Sequence, residues 1–332
     1  MCTIFFDIAS AFDKVWHNGL LYKLIQLKFP NHIISWIKEF LENRFFVVRV
    51  GDVTTTNFEI KAGVPQGAVL SPKLFAIYIN DLPIKYNKNK FYSLLFADDL
   101  CAYNIFKRYG NINKQIQAYL NMIETWLKKW RLMMAPQKCN YIVFSSCKAS
   151  DTKMNLKLFD APISACADTT FLGIRFDQQI SFKNQISYIK DACVKRMNIL
   201  KVLSNKSWGL SIETMTTIYN SLIRSLMEYS SIIYPALSKT NMNVLEKIQL
   251  RCFKIMHRKS KYESNESIKS LPGYESVADR FDKLNLRYLK NKFANKTEII
   301  VDLFKDYKEY SESRVLKKNT LFCLYKEELN NL

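Results

Sequence analysis

The chain has 332 residues, of which 48% are hydrophobic and 24% are charged. This length and composition are enough for two or three packed units and exclude a disordered chain. The formal net charge of +19 indicates a polyanionic partner, either a nucleic acid or an anionic membrane surface.

The cysteines and the apolar segments narrow the class of protein. The eight cysteines are scattered, without a Cys-x-x-Cys pair or a neighbouring histidine, which argues against a zinc site and a disulfide framework. We therefore expect reduced thiols and an intracellular protein, with nucleus and cytoplasm not distinguishable. Because the sequence contains no run of about 18 apolar residues and no signal-peptide pattern, we expect no membrane partner.

The first predicted elements alternate between strand and helix. An apolar run over residues 2–8 predicts a buried strand with Asp7 near its end. Residues 19–43 then predict two helices, and residues 45–50 with 58–61 predict a hairpin. Because the chain opens within a strand, we expect that a segment upstream is missing.

A helix and a second hairpin follow. Ser71-Pro72 predicts a helix start that runs to about residue 81, with serine at the cap and proline at the first helical position. Residues 91–96 and 100–105 are apolar and flank an Ala97-Asp98-Asp99 corner, which predicts a hairpin.

The next segment predicts an amphipathic helix followed by short strands. Apolar side chains step by three or four through Ile112, Ile116, Leu120, Ile123, Leu127 and Trp130, the spacing of a helix that packs on a sheet. The short strands are predicted at residues 141–144, 156–159 and 171–176.

From residue 182 onward the pattern is helical. We predict an α+β unit over residues 1–180, a basic helical unit over 181–261, and a helical extension of unknown role over 262–332. The middle unit holds 14 basic and 4 acidic side chains, so its helices predict contacts with phosphates. Such contacts are independent of sequence and weaken with salt.

The adjacent carboxylates of Asp98 and Asp99 are the first candidate site. Two neighbouring carboxylates between hydrophobic strands repel unless a cation lies between them or one takes a proton. Mg²⁺ prefers oxygen ligands, and Asp7 supplies a third if its strand lies beside the hairpin. Taken alone, the pair also fits a solvated Asp-Asp turn.

Three segments resemble the ordered motifs of reverse transcriptases, and their order and spacing fit. The similarity is to reverse transcriptases of non-long-terminal-repeat retrotransposons of the jockey-like group, over most of residues 1–260. The segments are Phe6-Asp7-Ile8-Ala9-Ser10-Ala11-Phe12-Asp13-Lys14-Val15-Trp16-His17, Gly63-Val64-Pro65-Gln66-Gly67-Ala68-Val69-Leu70-Ser71-Pro72 and Phe96-Ala97-Asp98-Asp99.

The resemblance implies a right-hand polymerase palm, an antiparallel sheet with packed helices, followed by an all-α thumb. In such a palm Asp7, Asp98 and Asp99 are the catalytic carboxylates and bind two Mg²⁺ ions, with Mn²⁺ as an alternative. Phe12 matches the bulky residue that excludes a ribose 2′-hydroxyl, although composition alone would make it a core aromatic.

The resemblance implies three further contacts with substrates. Pro65, Gln66 and Gly67 match the loop beside the incoming nucleotide, where glycine lets the backbone approach a ligand; without the family they are a turn before a helix. Lys138 is similar to the residue proposed to protonate pyrophosphate, although a solvated lysine fits as well. Leu172-Gly173 resembles the primer grip, although a plain strand with a glycine also fits.

The function implied is RNA-directed DNA synthesis with an RNA template, a nucleic-acid primer and deoxynucleoside triphosphates as partners. The fingers region that precedes the first catalytic aspartate in this family is largely missing, so we expect an N-terminally truncated chain. The alternatives are a catalytically inactive relic that only binds nucleic acid and an RNA-directed RNA polymerase. Phe12, and alanine rather than glycine before Asp98, argue against the last.

Overall fold

A computed structural model describes residues 1–83, 85–86, 91–106, 112–145, 154–205, 207–310 and 320–330. Two compact units divide the chain, Met1–Leu172 and Gly173–Leu332. Among the residues that the structure describes, every strand but one lies in the first unit, so the first unit is mixed and the second is mainly helical. One of the eight cysteines, Cys147, and one basic residue of the middle unit, Lys206, lie outside the described residues.

Among its described residues, the first unit contains a large sheet, four α-helices and a 3-10 turn at Phe12–Lys14. Its helices are α1 (His17–Gln26), α2 (Asn31–Leu41), α3 (Ser71–Ile79) and α4 (Ile112–Lys129). Its strands are β1 (Cys2–Asp7), β2 (Phe45–Phe46), β3 (Arg49–Val50), β4 (Val53–Thr54), β5 (Phe58–Glu59), β6 (Lys85–Tyr86), β7 (Phe91–Phe96), β8 (Asp99–Asn104), β9 (Asn140–Val143), β10 (Lys157–Leu158), β11 (Ala161–Pro162), β12 (Ser164–Ala165) and β13 (Asp168–Phe171).

The large sheet has six strands in the order β12-β9-β1-β8-β7-β6. β1 is central and pairs antiparallel with both β8 and β9, so a strand buried on both faces reads as a continuous apolar run. Alternate β1 side chains point to opposite faces. Ile4 and Phe6 therefore join the core beneath the helices, whereas Phe5 packs with Cys101 and Ile142 on the other face.

The helices of the first unit cover one face of this sheet. The predicted stripe of α4 is buried from Ile112 to Leu127, and Trp130 just after the helix is buried as well. Phe75 and Tyr78 of α3 are completely buried in the same core. Burial of such large side chains is the main stabilising contribution to this layer.

In the residues that the structure describes, the second unit is helical apart from one strand. It contains β14 (Ile174–Asp177), α5 (Lys183–Leu203), α6 (Ile212–Tyr219), a π segment (Asn220–Arg224), α7 (Ser225–Tyr229), a 3-10 segment (Ser231–Ala236), α8 (Lys239–Met256), α9 (Asn265–Lys269), α10 (Val277–Ala294), α11 (Glu298–Tyr310), α12 (Leu321–Leu324) and α13 (Lys326–Asn330). The predicted stripe of α5 supplies core residues such as Ile189 and Cys193. No helix in the described ranges has the length and apolarity needed to cross a membrane.

An ion-pair network ties three elements of the second unit together. Arg224 contacts Glu228 at 2.9 Å and Glu275 at 2.8 Å, Arg280 contacts Glu228 at 2.7 Å, and Lys283 contacts Glu275 at 2.6 Å. The hydrogen bond from Lys283 is the largest cause that lowers the pKa of Glu275, and Arg224 adds to it. Each carboxylate of the network thus faces two cations.

Two local predictions are wrong. Ser71 is not the cap of α3: Leu70 is the cap, and Pro72 follows Ser71 into the first turn. The Ser71 hydroxyl instead donates to the carbonyl of Pro65 at 2.5 Å, so it holds the preceding loop. The strand predicted over residues 171–176 is interrupted, because Leu172 and Gly173 have φ values of 47° and 75° and form a turn.

Candidate active site

The three predicted carboxylates meet at one end of the large sheet. Asp7, the last residue of β1, is the direct cross-strand partner of Asp99, the first residue of β8. Cross-strand partners have their side chains on the same face, here the face that carries Phe5 and Cys101. β7 and β8 close at the pair Phe96 and Asp99, so Asp98 lies in a two-residue turn beside them.

This arrangement follows from where the apolar strands end. Phe5 and Phe6 are buried, and the Asp7 side chain that follows is 44% exposed. Asp98 and Asp99 are exposed in the same way where the hairpin turns. The strands thus place carboxylates at the rim of a buried sheet, where solvent or a ligand reaches them.

The turn itself is strained. Ala97 has φ of 52°, and tight hairpin turns require positive φ at a central residue. Glycine adopts this conformation freely, whereas a non-glycine residue in a sparsely populated region costs about 1–3 kcal/mol. The hairpin keeps this conformation because the apolar strands on both sides fix its register.

The carboxylates perturb one another. Partial burial raises the pKa of Asp99, and the neighbouring charges of Asp98 and then Asp7 raise it further. All three are therefore close enough to repel, and the ionised site calls for a positive charge.

Lys138 lies beside the carboxylates because the loop after α4 is attached to the end of β1. The amide of Ala135 donates to the carbonyl of Asp7 at 2.9 Å, and the amide of Ala9 donates to the carbonyl of Met133 at 2.9 Å. The loop then places the Lys138 ammonium 3.7 Å from a carboxylate oxygen of Asp7. Lys138 is 65% exposed, so the ammonium remains accessible to a ligand.

The predicted nucleotide loop is attached to the segment that follows Asp7. The amide of Val64 donates to the carbonyl of Phe12, and the amide of Gly63 donates to the carbonyl of Val15, each at 2.8 Å. The side-chain amide of Gln66 donates to Asp13 at 2.9 Å. Pro65, Gln66 and Gly67 therefore lie in one loop that is joined to Phe12, as the sequence motifs require.

Phe12 packs at the side of α3. Its ring is half-buried and lies 4.8 Å from the ring of Phe75, measured between centroids. The ring is thus fixed by the core on one side, while the backbone carbonyl of the same residue holds the nucleotide loop.

Gly63 is a residue whose role the sequence reasoning missed. Its φ is 90°, and a Cβ atom there would lie 2.7 Å from the carbonyl oxygen of Asp13. Its own carbonyl accepts from His17 at 2.8 Å and from Arg44 at 3.1 Å. The Gly63-Val64-Pro65-Gln66-Gly67 motif contained this glycine, but nothing local in the sequence pointed to His17 or Arg44.

Leu172 and Gly173 form a turn that lies further along the chain than the carboxylates and the predicted nucleotide loop. Phe171, just before the turn, packs its ring 5.3 Å from that of Phe5. A Cβ at Gly173 would meet the ring of Tyr229 at 3.1 Å. Leu172 and Gly173 therefore form a turn in which the absence of a Cβ at Gly173 leaves room for the ring of Tyr229.

Asp7, Asp98 and Asp99 form a carboxylate corner that is open to solvent. In the part of the chain that the structure describes, no three His, Cys, Asp or Glu side chains converge closely enough to hold an ion by themselves. Mg²⁺ commonly binds through one or two carboxylates and takes its other ligands from water and substrate phosphates. The exposed oxygen donors of Asp7, Asp98 and Asp99 fit that mode of binding.

Comparison with known proteins decides the family. The model of the family described as reverse transcriptase (RNA-dependent DNA polymerase) matches residues 1–176. The chain belongs to this reverse transcriptase family. The match covers the large sheet, the three carboxylates with Lys138, the predicted nucleotide loop and the turn at Leu172-Gly173.

Individual relatives agree with this assignment. The chain is 28% identical over 294 residues to the RNA-directed DNA polymerase from mobile element jockey of Drosophila melanogaster, a match that covers 86% of this chain and 31% of that protein. It is also 28% identical over 256 residues to the probable RNA-directed DNA polymerase from transposon BS of the same organism, covering 76% of this chain and 28% of that protein. The chain thus spans under a third of the length of these relatives.

Solved structures give a weaker similarity. The structure of apo telomerase from Candida tropicalis superposes with a TM-score of 0.44 at 14% identity, covering 87% of this chain and 45% of that one. The family assignment rests on the sequence match.

Proposed function

We propose that this chain catalyses RNA-directed DNA synthesis, the transfer of deoxynucleotides to a primer 3′-hydroxyl under the direction of an RNA template. The observation that carries the proposal is the pairing of Asp7 with Asp99 across two central strands, with Asp98 in the adjoining turn. These residues lie within the part of the chain, residues 1–176, that matches a family of RNA-dependent DNA polymerases, and we assign them the catalytic positions. The large sheet would be the palm, and the basic helices over residues 181–261 would be the thumb.

The reaction breaks one phosphoanhydride bond and forms one phosphodiester bond. The primer 3′-hydroxyl gives up its proton to water as its oxygen attacks the α-phosphorus of the deoxynucleotide, and pyrophosphate leaves with the electron pair of the broken bond. Two Mg²⁺ ions, or Mn²⁺ in their place, would supply hydroxyl activation and neutralise phosphate charge when bound to Asp7, Asp98 and Asp99. The carboxylates orient the reacting groups, and the Lys138 ammonium donates a proton to the departing pyrophosphate.

The remaining residues position the substrates. Phe12, held against Phe75, would exclude a ribose 2′-hydroxyl and so select deoxynucleotides. The loop Pro65-Gln66-Gly67 would lie beside the nucleotide and the template base. Leu172-Gly173 would press on the primer end, which is a role for backbone in a turn. An intracellular site of action stays a prediction.

The deciding measurement is primer extension on an RNA template with Mg²⁺ and deoxynucleoside triphosphates. We expect extension by the chain and none by Asp98→Asn, because the variant removes one carboxylate from the corner. The exposed Asp52, in the turn of the β3–β4 hairpin, provides the control: Asp52→Asn should extend normally. Equal extension by the chain and by Asp98→Asn would refute the proposal, and salt-sensitive RNA binding without extension would indicate an inactive relic.

A further inference from the structure

A groove in the second unit lies mainly within the basic helices over residues 181–261 and contains none of the residues of the candidate active site. It has a volume of about 630 Å³ and runs between α5 and α8, with the segment from Lys259 to Asn265 at one end. Its lining residues fall at positions 194, 197 and 201 of α5 and at 247, 250, 251, 254 and 255 of α8. This spacing of three and four places them on one face of each helix, so the groove is formed by two helix faces that point toward each other.

The groove is strongly cationic. No Asp or Glu is among the described residues that line it. Across the described ranges, none of its cations forms an ion pair with a carboxylate, unlike Arg224 and Arg280 in the same unit. The six cations are Lys201, Lys247, Arg251, Lys254, Lys259 and Lys261. An uncompensated set of this kind attracts a polyanion.

The floor of the groove is apolar. Met197 and Leu250 lie at its base and are 5% and 6% exposed, whereas Val194 is 40% exposed at its side. A cationic rim over an apolar floor differs from a flat basic surface, because it offers contacts to a ligand that carries both phosphates and planar apolar groups.

One aromatic ring projects at the end of the groove. Tyr262 is 84% exposed, although its backbone is held on both sides. The Lys254 ammonium donates to the carbonyl of Lys261 at 3.3 Å and to that of Glu263 at 2.6 Å. The amide of Tyr262 donates to the hydroxyl of Ser260 at 3.2 Å. The chain therefore fixes the backbone of a residue whose ring remains in solvent.

We propose that this groove binds single-stranded nucleic acid, with phosphates along the cationic rim and a base stacked on the ring of Tyr262. Cationic grooves that contain aromatic rings bind single strands in this way, because unpaired bases expose their faces. A duplex keeps its bases stacked inside and offers only phosphates to such a rim. This inference goes beyond the proposed function, since binding of a strand here requires no catalysis.

The test is binding of a labelled RNA oligonucleotide of about 12 nucleotides, followed by fluorescence anisotropy at several salt concentrations. We expect Tyr262→Ala to weaken binding by about 5-fold to 100-fold without changing the salt dependence, and Tyr262→Phe to bind like the parent. Lys247→Ala with Arg251→Ala should weaken binding and reduce the slope of log affinity against log salt by about 1.4, since two phosphate contacts are lost.

A matched pair of substitutions controls for charge. Arg287 and Lys290 are exposed on α10 and do not line the groove, so Arg287→Ala with Lys290→Ala removes the same charge elsewhere and should leave the slope unchanged. An equal loss in this pair, parent-like binding by Tyr262→Ala, or tighter binding of a duplex of the same length would each overturn the proposal.

The proposal for the groove and the proposal for polymerase activity can be refuted independently. Asp98→Asn is expected to bind the oligonucleotide like the parent, because the carboxylate corner is not needed for binding. A chain that binds but never extends a primer would therefore count against the polymerase proposal only. The thermal melting curve of each variant, read by circular dichroism, shows that a weakened affinity does not come from unfolding.

Discussion

Two groups of carboxylates in this molecule have opposite electrostatic environments. In the network of the second unit, Glu228 and Glu275 each contact two cations, and the pKa of Glu275 is lowered. At the carboxylate corner of the first unit, Asp99 faces Asp98 and Asp7, and its pKa is raised. The carboxylate of Glu275 thus lies among cations, whereas that of Asp99 lies among other carboxylates.

The difference separates a stabilising arrangement from one that costs folding free energy. Carboxylates paired with arginine and lysine favour the folded state, whereas like charges at the end of two strands oppose it. Sites of strain or repulsion are retained where a reaction uses them. The corner, with Ala97 at positive φ beside it, fits that description, and the network does not.

The largest expected effect separates activity from stability at the corner. Asp7→Asn should reduce primer extension by about 10³-fold or more, while its melting temperature in the absence of Mg²⁺ stays equal or rises because one repulsive charge is gone. Single-turnover extension and thermal melting measure the two quantities. Asp52→Asn is the control, and a large fall in stability of Asp7→Asn would mean that the corner, like the network, stabilises the folded state.

The second effect concerns the loop that contains Gly63 and tests how much a close backbone contact limits the residue at this position. Gly63→Ala should destabilise the chain by about 3 kcal/mol or more, because φ is 90° there and the new Cβ would lie 2.7 Å from the Asp13 carbonyl. Gly67 has φ of 86° and nothing within 4 Å of such a Cβ, so Gly67→Ala should cost only about 1 kcal/mol. Urea unfolding of both variants gives the comparison, and equal losses would mean that the contact with Asp13 contributes nothing.

The third effect concerns the cation beside the corner. Lys138→Gln should slow extension by about 100-fold, the lower range for a general acid, but change stability by less than about 0.5 kcal/mol, since an exposed ion pair contributes little. The exposed Lys157 provides the control, Lys157→Gln. A normal rate of extension with reduced stability would show that Lys138 only forms an ion pair with Asp7 and is not the general acid.

Local patterns in the sequence predicted much of this structure. The apolar run of β1, the hairpin of β7 and β8, and the stripe of α4 each repeat with the period of their element, so a short window is enough to find them. The sequence left it as a condition that β1 lies beside this hairpin, and the structure meets that condition because Asp7 pairs with Asp99. Ser71 was misassigned because a cap and a loop contact use the same hydroxyl.

Contacts between distant residues were beyond the reach of one sequence. His17 lies 46 residues from Gly63, and Arg44 lies 19 residues from it. Both donate to a backbone carbonyl, and every residue has one, so the acceptor leaves no mark in the sequence. The turn at Leu172-Gly173 inside a predicted strand differs, because a glycine within a strand pattern is itself a warning of a break.

The smallest expected effect lies in the network and has a defined pH dependence. Glu275→Gln should destabilise the chain by about 1.5 kcal/mol near neutral pH, the low end for hydrogen bonds to a charged group, because Lys283 is 70% exposed. The pKa of Glu275 is lowered in the folded state, so its contribution is fully present above the ordinary value of 4.5. It is lost as the pH falls through the lowered folded-state pKa.

The free energy of unfolding of the parent should therefore fall more steeply with decreasing pH than that of Glu275→Gln. Between neutral pH and about pH 3, urea unfolding should show the parent losing stability faster than Glu275→Gln, until the two converge. Glu266→Gln changes an exposed glutamate of α9 and should track the parent. If parent and Glu275→Gln instead differ by the same amount at every pH, the loss comes from packing, and the carboxylate of Glu275 does not stabilise the network through its charge.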